Sequence, residues 1–85
     1  MKIKASIFFA ALSLMASCAS EMDIVSADVP ESVMTSFASK YPQVKDTKWE
    51  IKKEDGKLYY EAEFKLEEKK KEAYFRPDGS FTKED

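Results

Sequence analysis

From Leu58 to Leu66 the chain alternates strictly. Leu58, Tyr60, Ala62, Phe64 and Leu66 fall on one side, and Tyr59, Glu61, Glu63 and Lys65 on the other. A period of two belongs to a strand with one buried and one wet face; wound as a helix, this stretch would show no apolar stripe. Asp55-Gly56 stands just before it, a pair suited to the positive φ angles of a tight hairpin. Ahead of that turn, Thr47, Trp49 and Ile51 alternate with Asp46, Lys48, Glu50 and Lys52. Beyond Glu67–Lys70, Ala73 and Phe75 face one way, with Tyr74 and Arg76 the other. These segments read as consecutive half-buried strands of an antiparallel meander.

The turns set the register. Centring the first on Asp55-Gly56 pairs Ile51 with Tyr60, Trp49 with Ala62 and Thr47 with Phe64. On the other face it pairs Lys48 with Glu63, Asp46 with Lys65 and, unfavourably, Glu50 with Glu61. A second turn centred between Glu68 and Lys69 sets Phe64 against Ala73 and Ala62 against Phe75. Its outer pairs are Lys65 with Glu72 and Glu61 with Arg76, which offsets the Glu50–Glu61 repulsion. A slip of one residue would flip every side chain to the wrong face. At Pro77-Asp78-Gly79, a three-residue loop with Gly79 left-handed places Phe81 opposite Phe75 and in the core. The fourth strand is then Ser80 to Lys83, a short edge.

A helix precedes the meander. Asp28 with Glu31 fits a capping box, and Pro30 suits a first turn whose amides lack helical partners. Val29, Val33 and Phe37, flanked by Met34, Ala38 and Tyr41, make one apolar stripe. Pro42 disfavours helical geometry at Tyr41, so the helix ends near Lys40. The expected fold class is α+β: one N-terminal helix packed on a four-stranded antiparallel β-meander, spanning residues 28–85.

The first residues address the chain rather than fold it. Lys2 and Lys4 precede an apolar run from Ala5 to Met15, too short to span a bilayer, as in an export signal. Leu14-Met15-Ala16-Ser17-Cys18 resembles a bacterial lipobox, with Met15 where Leu is usual. That reading makes residues 1–17 a lipoprotein-type signal peptide, Cys18 the lipidated first residue, and residues 18–27 a tether. Cleavage after Ala19 by the ordinary signal peptidase is the alternative, leaving a soluble periplasmic protein. Either route exports the chain, to the periplasm or, if lipid-anchored, the outer membrane or cell surface. Glu21 and Asp23 resemble the surface-export signals of some Bacteroidetes lipoproteins, while Ile24-Val25 can instead add a short strand to the domain edge. Removing Lys2 and Lys4 lowers the basic count from 14 to 12 against 16 acids. That net negative charge offers nothing to nucleic acid.

Val29-Pro30-x2-Val33, Phe37, Tyr41-Pro42, Lys48-Trp49-Glu50, Asp55-Gly56, Tyr60-Glu61-Ala62-Glu63-Phe64, Ala73-x-Phe75 and Asp78-Gly79 together resemble the PepSY-like family. These are the β-lactamase-inhibitor-like proteins of Bacteroidetes. The resemblance covers Val29 to about Thr82 and implies a non-catalytic module that engages or inhibits another envelope protein. Members often carry two such units in tandem, and this chain has room for one.

The residues themselves argue against catalysis. The chain has no histidine, and Cys18, its one thiol, is acylated or removed on export. Glu61 and Glu63 share the outer sheet face as solvated ion-pair partners, without the enclosure that shifts carboxyl pKa values. Glu54, Asp55 and Asp78 are explained as turn residues, so no metal and no cofactor is expected. Tyr59 and Tyr74 stand out. Both fall on the outer face among Lys48, Lys52, Glu61, Glu63 and Arg76, the composition of a protein-contact surface. An envelope protein is the expected partner, with a second copy pairing along the edge that ends at Lys83 as a further option. The competing function class is a small-ligand or peptide sensor using a cleft between helix and sheet.

Overall fold

The computed structural model describes residues 19–85, so the apolar run and Cys18 lie outside the described residues. The strands are β1 (Ala19–Ile24), β2 (Lys48–Glu54), β3 (Lys57–Leu66), β4 (Lys69–Phe75) and β5 (Phe81–Glu84). A single 3-10 turn, Ser26–Asp28, and the helix α1, Glu31–Lys40, lie between β1 and β2. All five strands form one antiparallel sheet in the order β1-β2-β3-β4-β5. The four-stranded expectation is therefore corrected to five. The extra strand comes from the segment read as a tether, which pairs along β2 from Ala19↔Glu54 to Ile24↔Trp49. Its alternation is short: Met22 and Ile24 share a face with Ile51 and Trp49, while Glu21 and Asp23 take the other.

The first hairpin has the register its turn dictates, with Asp55 at φ 51° and Gly56 at φ 77°. Lys48 pairs with Glu63, Trp49 with Ala62, Glu50 with Glu61 and Ile51 with Tyr60. The ladder stops there, so the expected Thr47–Phe64 and Asp46–Lys65 pairs are not made. The second hairpin turns one residue earlier than expected, at Glu67 (φ 53°) and Glu68 (φ 69°). Both positive φ angles fit a two-residue turn whose twist matches its flanking strands. Each partner in β4 is displaced by two positions: Tyr60 faces Phe75, Glu61 faces Tyr74 and Ala62 faces Ala73. An even displacement preserves which side chains point to the core.

The β4–β5 connection places Phe75 opposite Phe81, and Gly79 is left-handed at φ 94°. The last strand is Phe81–Glu84, one residue beyond the expected span, with a register shift at Tyr74/Phe75. Phe81 stacks edge-on to Phe75, with ring centroids 5.7 Å apart, but stays 41 % exposed because no further strand encloses it. Its expected place in the core is corrected to the core's edge.

Helix α1 lies on the inner face through Val33 and Phe37, continued by Val29 before it and Tyr41 after it. Phe37 is the centre. Its ring packs at 5.2–5.3 Å centroid separation against Tyr41, Trp49 and Phe64, and at 6.2 Å against Phe75. Met34 is half-buried and Ala38 exposed, which narrows the expected stripe. The capping box does not form, because the N-cap is Pro30 and Asp28 closes the preceding 3-10 turn. The helix start is held instead by the β4–β5 loop: Ser32 Oγ donates to the Pro77 carbonyl at 2.8 Å. A Cβ on Gly79 would stand 2.6 Å from the Ser32 carbonyl oxygen. Both that backbone clash and the left-handed φ require glycine. Gly79→Ala is therefore expected to cost about 2 kcal/mol, measured as a lower urea midpoint. Gly56→Ala, which meets no neighbour, should cost less.

Candidate functional site

Among the described residues, no element covers the outer face of the sheet, yet its centre is not open. Glu61 is 3 % exposed and Tyr74 5 %. The expected solvated role of Glu61 and the expected openness of Tyr74 are both corrected. Alternation assigned the face properly; burial comes from long neighbouring side chains laid flat over the middle strands.

Lys52 organises this face. Its ammonium lies 3.3 Å from Glu21 Oε1, 3.3 Å from Glu61 Oε1, and donates to the Tyr74 hydroxyl at 3.1 Å. Carboxylate oxygens of Glu21, Glu50 and Glu61 converge within 4.8 Å of one another. Three carboxylates at that spacing have the make-up of a cation site, but the lysine ammonium already stands among them. The expected Arg76 neutralisation of Glu61 is replaced by Lys52, because the β3–β4 register moves Arg76 past the end of the pairing. Arg76 instead lies over the Tyr59 ring at 5.2 Å and donates from Nη1 to the Leu58 carbonyl at 2.7 Å. Tyr59 and Tyr74 meet edge to face at 6.4 Å, and Lys83 caps the Tyr74 ring at 4.8 Å.

The electrostatics follow from this crowding. Burial pushes the Glu61 carboxyl up to about 7, against the pull of Lys52 and with the help of Glu72. Its Oε1 has no aligned hydrogen-bond donor, the Lys52 contact being an ion pair of poor angle. Glu50 is raised too, by burial first and then by the charges of Glu21 and Asp23. Lys52 is held well above the usual lysine range: burial opposes this, and Tyr74 together with Glu61 outweighs it. Burial is the first cause of both raised carboxyls.

Lys48 and Glu63 lie elsewhere. Glu63 Oε2 pairs with Lys70 at 2.8 Å, which holds its pKa below the usual carboxylate range. Lys48, exposed at the start of β2, lines an open groove of about 970 Å³ beside the 43–47 loop. Of the six expected contact residues, the structure thus brings Tyr59, Tyr74, Glu61 and Arg76 into one network and puts Lys48 and Glu63 on the groove. Sequence reasoning placed Lys52 on the outer face beside Tyr59 and Tyr74 without giving it a site role, and it left Glu21 in the tether; Lys52↔Tyr59 was implicit in the first hairpin's register.

No family model, curated protein or solved structure matches this chain. Geometry therefore carries the functional argument. Between helix and sheet, Val33, Phe37, Trp49, Phe64 and Phe75 form one buried cluster. Among the described residues, no helix is long and apolar enough to cross a membrane.

Proposed function

We propose that this chain is an exported, non-catalytic binding module that engages another envelope protein through its uncovered sheet face. The resemblance to the PepSY-like family points the same way. One observation carries the reading: on the sheet face opposite the helix, the aromatic and charged groups are locked to one another. Lys52 ties β2 to three other strands, Arg76 fixes Tyr59, and Lys83 with Lys52 brackets Tyr74. Such a face loses little side-chain entropy when a partner docks, and its fixed charges reject mismatched surfaces. A buried Tyr74 acts as the support of this platform, with Tyr59, Arg76 and Glu21 at its surface.

Lipidation at Cys18 belongs to the same proposal. With β1 starting at Ala19, a lipid on Cys18 would be joined to the sheet without a flexible spacer. The test pairs anchoring with contact. Labelled palmitate should enter the wild type and vanish in Cys18→Ala. A photocrosslinking residue at Tyr59 should trap a discrete envelope partner, while the same residue at exposed Thr35 on the helix should not. Absence of label would sink the anchor, and equal trapping at both positions would sink the sheet-face site.

A further inference from the structure

We infer that the groove beside the 43–47 loop is a strand-addition site for an extended peptide that alternates acidic and apolar residues. Strand β3 runs to Leu66, but its ladder with β2 ends at Lys48↔Glu63. Past that pair the 43–47 segment leaves the sheet. Its one backbone hydrogen bond outside regular elements is Val44 N–H to the Tyr41 carbonyl. The end of β3 is consequently paired on the β4 side alone.

The backbone groups left over can be named. Residues flanking a two-residue hairpin turn form a mutually hydrogen-bonded pair, and bonded pairs then recur at every second position. Leu66↔Lys69 flanks the second turn, so Phe64 and Leu66 direct their amides and carbonyls to β4. Glu54↔Lys57 flanks the first, so Glu61 and Glu63 direct theirs to β2. Lys65 follows Glu63 in that series, and among the described residues β2 supplies no ladder partner for it. Its N–H and C=O therefore face the groove, like those of a sheet edge that accepts a peptide strand.

Side chains around the opening specify what would enter. Phe64 and Val44 provide an apolar inner wall, while Lys45, Lys48, Lys65 and Lys70 surround the outer side. Asp46 and Glu63 offset part of that charge, and Glu63 is engaged by Lys70. A strand lying opposite Lys65 must send alternate side chains to these two sides. Carboxylates would meet the lysines, and branched apolar groups would cover Phe64 and Val44. The inference is independent of the outer-face reading, since Tyr59, Lys52 and Arg76 take no part.

The probe is a blocked octapeptide of alternating Glu and Val, titrated into the purified protein by calorimetry and by amide NMR. Saturable binding is expected, with Lys65 and its neighbours shifting and the Lys65 amide becoming protected from exchange. Lys48→Glu with Lys65→Glu should weaken binding about tenfold or more. The same charge change at the far end of the sheet, Lys53→Glu with Lys57→Glu, should leave it within about twofold. The same peptide N-methylated at alternate amides should fail to bind, because it cannot complete the ladder. Several results would overturn the inference: no saturable binding, equal loss in the two double variants, equal binding of the methylated peptide, or an unmoved Lys65 amide.

Discussion

Phe64→Ala is expected to lower the folding free energy by about 3–5 kcal/mol, a loss near the whole stability of a domain this size. Phe64 is 3 % exposed, near the end of β3, where its ring meets Tyr41 at 4.6 Å and Phe37 at 5.3 Å. Truncation removes apolar contact from the helix and from the loop that leads to β2. The layer has little chance to collapse into the gap, because the helix is anchored independently at the Ser32–Pro77 contact. Tyr59→Ala, half-buried on the outer face, is the control and should cost far less. Urea unfolding followed by Trp49 fluorescence measures both. Equal losses would mean that the helix layer is not where most of the stability resides.

The legibility of this fold in its sequence follows from where turn chemistry was explicit. Asp55-Gly56 announces its conformation, and the register from Lys48 to Tyr60 follows from it. Gly79 does the same for the Phe75–Phe81 pair. Glu67-Glu68 carries no glycine or asparagine, so nothing local marked the turn, which was expected one residue later, with β4 partners two positions away. The tight turn forms because the flanking strands already twist correctly for it, a tertiary cause that local composition does not display. Strand β1 was obscured for a related reason. Ser20-Glu21-Met22-Asp23-Ile24 alternates, but its apolar members are few, and Met22 remains 60 % exposed even when paired. Its stabilisation comes from the β2 backbone, and from Lys52 reaching Glu21.

The candidate site was legible as a face and illegible as a network. Alternation places Tyr59, Glu61 and Tyr74 together without saying that Glu61 is enclosed. Enclosure depends on β1 being present, since Glu21 and Asp23 extend the outer layer across Glu50. It depends also on the true β3–β4 register, which brings Tyr74 rather than Arg76 beside Glu61. An error of two residues in one hairpin thus left the core assignment intact and changed the electrostatics completely.

That electrostatic arrangement gives the last prediction. The Glu61 carboxyl is raised to about 7 in the folded protein from an ordinary value of 4.5, with burial as the main cause. The folded state therefore holds the proton more tightly than the unfolded state between those two values. Stability from this group is present in full below about pH 4.5 and is lost as pH rises through about 7. Facing groups decide the size: Lys52 and Glu50 from β2, Glu21 from β1, Glu72 and Tyr74 from β4, with Lys83 from β5 over the Tyr74 ring. Lys52 favours the carboxylate, whereas Glu50 and Glu72 oppose it, and burial decides the balance. Between about pH 5 and pH 8 the wild type should lose about 2–3 kcal/mol, and raised Glu50 acts with the same sign. At lower pH the trend reverses, as Glu63, Asp78 and Glu84, all held below their ordinary values, protonate and lose Lys70, Ser80 and Tyr41 as partners for their charge. Glu61→Gln keeps the shape and removes the titration, so its profile should flatten and meet the wild type near pH 5. Urea midpoints across this range decide the matter. A wild type that grows more stable from pH 5 to pH 8, or a Gln variant running parallel to it, would show that Lys52 keeps Glu61 ionised despite its burial.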